Sequence, residues 1–158
     1  MNRWAALLCF GAVLMGSLLL DASTRAGEPA VLVRYGTFNG ECLAYCSRSI
    51  EVSSTRVLFT ATVSSPTISV APFSSEIAMN QDDVAQLRLL LASTTANGLP
   101  DRIGCPDCDD SGAEWVEVNS GGPVRRITFE FGKSPAQLKP LVDWLSAMQR
   151  RFQVPSLR

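Results

Sequence analysis

Residues 103–118 read IGCPDCDDSGAEWVEV, a stretch that sets Cys105 and Cys108 among Asp107, Asp109, Asp110, Glu114 and Glu117. Cysteines and carboxylates at this density suit three kinds of chemistry. Cys105-Pro106-Asp107-Cys108 has the two-residue spacing of a redox dithiol. Asp107, Asp109, Ser111 and Gly112 follow the first half of a calcium loop, in which alternate side chains ligate and the glycine makes the sharp turn. Together with the C-x3-C pair Cys42 and Cys46, the two thiols also match the ligand spacing of a structural zinc site.

Each chemistry competes with a plainer explanation. A reactive dithiol usually opens a helix after a strand, where the helix dipole lowers the thiol pKa. This pair follows a helix and a loop and precedes a strand, so a structural cross-link fits better. The calcium pattern fails in its second half, because loop position twelve should be a bidentate glutamate and is Val118. Glu114 or Glu117 would have to serve in another geometry. The run therefore reads as a turn, with Asp107, Asp109, Asp110 and Glu114 forming an acidic loop where a cation or a partner would touch.

Histidine is absent from all 158 positions. That excludes Ser-His-Asp and Cys-His nucleophilic arrangements, histidine metal sites and histidine proton shuttles. Glu114, Glu117 and Glu130 fall near paired strands, but strand carboxylates are mostly a solvated face. The expectation is a non-enzymatic protein without a cofactor, with zinc at the four cysteines or calcium at the acidic loop as the alternatives.

The N-terminus carries Arg3 and then the apolar run Ala5–Leu20, AALLCFGAVLMGSLLL. As a helix it would be roughly 24 Å long, shorter than the ~20 residues a membrane span needs, and Thr24 and Ala26 supply small residues for cleavage. Residues 1–26 are read as a signal peptide cut after Ala26, with a retained anchor as the alternative. Cys9 would leave with it. Subtracting those 26 residues from 158 leaves 132, and the loss of Arg3, Arg25 and Asp21 takes 14 basic and 15 acidic groups to 12 and 14, net −2. Basic clusters are limited to Arg125-Arg126 and Arg150-Arg151, too few for a phosphate-tracking surface, so no nucleic-acid partner is expected. Residues 27–158 make one domain, secreted or periplasmic, that touches the membrane only through its signal.

In such a compartment thiols pair, which favours disulfides over zinc. Bridges between the first loop and the acidic loop are expected. Closing some sixty residues removes about 4 kcal/mol of chain entropy from the unfolded state, against about 2 kcal/mol for Cys42 to Cys46. The individual partners stay open.

Period-two alternation predicts a strand at Ala30–Tyr35, a hairpin with Ile50/Val52 and Val57/Phe59/Ala61/Val63, and a second hairpin from Trp115–Val118 and Arg125–Phe131. Ser64–Met79, with two prolines and five serines, reads as an irregular connection whose Ile68, Val70 and Phe73 still pack. One helix should begin at Asn80, carry the stripe Val84, Leu87, Leu90 and Leu91, and end at Asn97-Gly98. The other should begin at Ser134-Pro135 with Gln137 completing a capping box, with Pro140 either bending it slightly or moving its start toward Lys139, and should bury Leu138, Leu141, Val142, Leu145 and Met148. The order β-β-β-α-β-β-α implies an α+β fold, an antiparallel sheet of about five strands with both helices on one face.

The pieces GECLAYC, GCPDCDDSGAEWVEV and ITFEFG resemble, over about residues 30 to 150, small exported bacterial proteins grouped only as a domain of unknown function. The resemblance implies a small exported domain and brings no activity, so the expected role is a disulfide-stabilised module that binds another protein or an envelope component. A thiol-redox protein using the CPDC pair and a small metal-binding module are the alternatives.

Overall fold

The computed structural model describes residues 30–40, 42, 44–63, 70–119 and 123–156. The signal sequence expected at 1–26 and Ile68 lie outside these residues. Seven strands, β1 (Val31–Phe38), β2 (Ser47–Ser53), β3 (Arg56–Thr62), β4 (Phe73–Ala78), β5 (Arg102–Ile103), β6 (Ala113–Val118) and β7 (Arg125–Glu130), form one sheet in the order β4-β3-β2-β1-β6-β7-β5. Among the described residues two helices, α1 (Gln81–Ser93) and α2 (Lys139–Gln149), complete an α+β fold.

Both expected hairpins form, β2 with β3 and β6 with β7, and β1 joins them by pairing antiparallel with β2 on one side and β6 on the other. Two strands exceed the expected five. β4 pairs with β3 where an irregular connection was expected. Its alternation was hidden because Ser75 takes the inward position between Phe73 and Ile77, and serine carries no hydrophobic signal. Pro72 precedes the strand rather than interrupting it, which an edge strand tolerates. Val70, expected to pack, is exposed. β5 has only two residues and runs parallel to β7, so the sheet is mixed rather than antiparallel.

The inward residues Val33, Tyr35, Ile50, Val52, Val57, Phe59, Val116, Val118, Ile127 and Phe129 form one core with the α2 stripe, in which Leu138, Leu141 and Leu145 are fully buried. Burying each such side chain contributes about 1.5–3 kcal/mol. Phe152 stacks on Phe59 with centroids 4.9 Å apart. α1 is the lighter partner. Only its Leu87 is buried, and it leans on α2 through Trp144 Nε1 donating to Gln86 at 3.1 Å and on the turn after α2 through the Arg151–Asp83 pair at 3.4 Å.

Asn80 caps α1 as expected, accepting from the Asp83 N–H at 2.7 Å. The helix ends at Ser93, earlier than Asn97-Gly98, because Thr94 turns its hydroxyl onto the Leu90 carbonyl at 2.7 Å and its N–H onto Leu91. α2 begins at Lys139, with Pro140 in its first turn, where a missing N–H costs nothing. Residues 135–138 form a separate turn, closed by the Leu138 N–H on the Pro135 carbonyl at 2.9 Å, so the Ser134/Gln137 capping box does not form.

Candidate functional site

Both cysteine loops lie at one end of the sheet because β1 and β6 are neighbours. Phe38, the last residue of β1, pairs with Ala113, the first of β6. The chain that leaves β1 therefore runs beside the chain that enters β6. A Cβ on Gly40 would lie 2.8 Å from Asp110 Cα, and one on Gly112, at φ +82°, would collide with the Phe38 carbonyl oxygen. Glycine is required at both places by this approach of backbone to backbone.

The expected bridges between the loops do not form. Cys42 bonds Cys46 and Cys105 bonds Cys108, each pair with Cα atoms 5.4 Å apart. Proximity in the chain prevails over the larger entropy of a long closed loop, because short local turns already bring each pair to bonding range. The loops are neighbours through backbone packing instead. Among the described residues, no group of three or more Cys, Asp and Glu side chains converges as metal donors.

The second loop has its own frame. The Asp107 N–H donates to the Gly112 carbonyl at 2.9 Å, the Cys108 N–H to Cys105 at 3.1 Å and the Ser111 N–H to Cys108 at 3.1 Å, the last closing a tight turn over Cys108–Ser111 that is not helical at Asp109. Asp107, Asp109 and Asp110 adopt φ of 62°, 54° and 55°. Aspartate visits this left-handed region more readily than most residues because its short carboxylate bonds locally. From outside, Arg102 donates to the Pro106 carbonyl at 2.8 Å, and Glu130 accepts the Cys105 N–H at 3.0 Å while pairing with Lys133. The Lys133 ammonium, and after it the Cys105 N–H, hold the Glu130 carboxyl below the ordinary glutamate range.

Glu114 does not belong to the exposed acidic loop. It stands on β6 in register with Val116 and Val118, facing the core, and only 7 % of it is exposed. Tyr35 donates its hydroxyl to Glu114 at 3.0 Å and the Gly132 N–H donates at 2.9 Å. Burial, and then the Glu114 charge, push the Tyr35 phenol well above its ordinary value, with Ser146 and Arg150 opposing.

The opposite face of the sheet holds a constellation that the sequence reading missed. Register aligns Glu51 with Arg34, Arg34 with Glu117, and Glu117 with Arg126, so alternating charges cross β2, β1, β6 and β7 in one row. Arg34 reaches Glu51 at 3.2 Å and Glu117 at 3.3 Å, and Arg126 reaches Glu117 at 2.7 Å. In the adjoining row Trp115 lies on Gly36, where a Cβ would sit 2.7 Å from the indole nitrogen. The Arg126 guanidinium lies over the indole ring, 4.1 Å from the centroid. Arg34, Ser49, Glu51, Trp115, Glu117 and Arg126 line a cleft of about 350 Å³. Outward polarity at 34, 51, 117 and 126 was visible as the polar half of each alternation, but alignment in a row is a matter of register between distant strands.

The chain matches no family model and no curated protein.

Proposed function

We propose that this protein is a small exported, non-enzymatic binding domain, periplasmic or secreted, of the same kind as the uncharacterised bacterial proteins it resembles, and that it engages a protein partner through the outer face of its sheet. The supporting observation is the cleft around Trp115. Tryptophan and arginine carry a disproportionate share of binding energy at interfaces, and here Arg126 already lies over Trp115 and pairs with Glu117. Two arginines and two glutamates on the cleft suit a partner segment that presents both a carboxylate and a cation, since each row charge can exchange an intramolecular ion pair for an intermolecular one. Local disulfides in both loops agree with an oxidising compartment.

Photo-crosslinking tests the partner face. A benzoylphenylalanine at Ser49, on the cleft, should give one discrete adduct in the producing cell, lost when Arg126→Glu is added. The same group at Arg88, on α1, should give none. Equal adducts from both positions, or an adduct with lipid or glycan in place of protein, would overturn the proposal. Export is tested separately by fractionating cells that express the chain with and without residues 1–26.

A further inference from the structure

The two disulfides differ in what surrounds them. Cys46 is 3 % exposed and belongs to the core and its partner Cys42 is half-buried, whereas Cys105 is exposed and Cys108 half-buried. Thiol–disulfide exchange needs a thiolate to approach one sulfur in line with the bond it breaks, so exposure decides which bridge can react. The Cys105–Cys108 bridge also spans a separation of only three residues, in a loop whose shape rests on other bonds. None of the Arg102 bond to the Pro106 carbonyl, the Glu130 bond to the Cys105 N–H and the Asp107–Gly112 hydrogen bond involves the sulfurs. Neither Cys105 nor Cys108 is itself buried.

We propose that the Cys105–Cys108 bridge is a stoichiometric electron acceptor for a protein dithiol carried on a positively charged surface. The charge preference follows from the loop. Asp107, Asp109, Asp110 and Glu130 gather there with Arg102 and Lys133, and Lys133 is already paired with Glu130. An anionic thiol such as glutathione is repelled on approach. A cationic one is attracted, and it stabilises the Cys108 thiolate as that group leaves.

The chemistry is an ordinary exchange in two steps. One partner thiolate attacks Cys105 Sγ, the Cys105–Cys108 bond breaks, and Cys108 departs as a thiolate that takes a proton from water. The second partner thiolate then attacks the partner sulfur of the mixed disulfide and displaces the Cys105 thiolate, which is protonated in turn. Two electrons and two protons have passed to Cys105 and Cys108, and the partner has become a disulfide. This capacity is independent of the cleft around Trp115.

The test uses the oxidised protein and three probe thiols at equal thiolate concentration: cysteamine (cationic), 2-mercaptoethanol (neutral) and 2-mercaptoethanesulfonate (anionic). Alkylation quenches each time point and peptide mapping locates the freed cysteines. Cys105 and Cys108 should be freed at least about tenfold faster than Cys42 and Cys46, with circular dichroism unchanged. At low salt the rates should fall in the order cationic, neutral, anionic, over a range of about tenfold that narrows in 1 M salt and in Asp107→Asn/Asp109→Asn/Asp110→Asn. The salt arm uses the wild-type chain, so it decides the matter even if the triple variant misfolds. Opening of Cys42–Cys46 first, opening of either bridge only in denaturant, or equal rates with all three thiols would overturn the proposal.

Discussion

Tyr35 and Glu114, 79 residues apart in the chain, meet inside the core, where the phenol donates to the carboxylate at 3.0 Å. Both are nearly inaccessible, Tyr35 at 1 % and Glu114 at 7 %. A buried carboxylate is tolerated only when its oxygens are bonded, and here Tyr35 serves one and the Gly132 N–H the other. Tyr35→Phe keeps the ring and removes the donor. Urea unfolding should show a loss of about 1–3 kcal/mol, with Glu114→Gln in the Tyr35→Phe background recovering part of it.

The same pair sets a dependence on alkaline pH. The Tyr35 phenol is raised in the folded state above the ~10 of a free phenol, first by burial and then by the Glu114 charge. A raised pKa means that the unfolded chain gives up its proton first, so the contribution is whole below pH ~10 and is lost as pH rises beyond it toward the folded value. Thermal midpoints taken from pH 8 to 12 should fall more steeply above ~10 for the wild type than for Tyr35→Phe. Parallel curves would show that Tyr35 does not ionise on unfolding.

Gly36→Ala should displace the Trp115 indole, because the added carbon falls within 2.7 Å of the indole nitrogen and the sheet backbone beneath cannot yield. Crowding of this kind costs about 1–3 kcal/mol. Loss of the Arg126 contact would expose the ring, so tryptophan emission should shift to the red. A Trp144→Phe background leaves Trp115 as the one tryptophan of the expected mature chain, and in that background the shift can be assigned.

Disulfide topology can be read without reducing the protein. Proteolysis between residues 47 and 104 should separate the Cys42–Cys46 peptide from the Cys105–Cys108 peptide, since no bridge joins them. Peptides that stay linked until reductant is added would restore the inter-loop pairing. Replacing Cys105 and Cys108 by serine should cost at most about 2 kcal/mol, the value expected for so short a closed loop.

Glu130 reports on the acid side. Its carboxyl is held below the ordinary glutamate value, first by the Lys133 ammonium and then by the Cys105 N–H, so these contacts persist above that value and are lost as pH falls through the lowered one. The Cys105 amide resonance should therefore move only below pH ~4.3. In Glu130→Gln that movement should vanish.

Local chemistry was legible in the sequence wherever neighbouring residues decide it. Alternation marked the two hairpins, Asn80 marked the start of α1, and the stripe from Leu138 to Met148 marked the buried face of α2, because each signal spans a few residues and follows from one period or one cap. β4 escaped because its inward positions include Ser75, and β5 because two residues have no period. The site depended on distance in the chain. Glu114 reads as part of an acidic run, and only the pairing of β6 with β1 turns it inward onto Tyr35. The row Glu51–Arg34–Glu117–Arg126 and the seat of Trp115 on Gly36 exist only once four strands have taken their register, and a shift of one residue would send every one of these side chains to the other face.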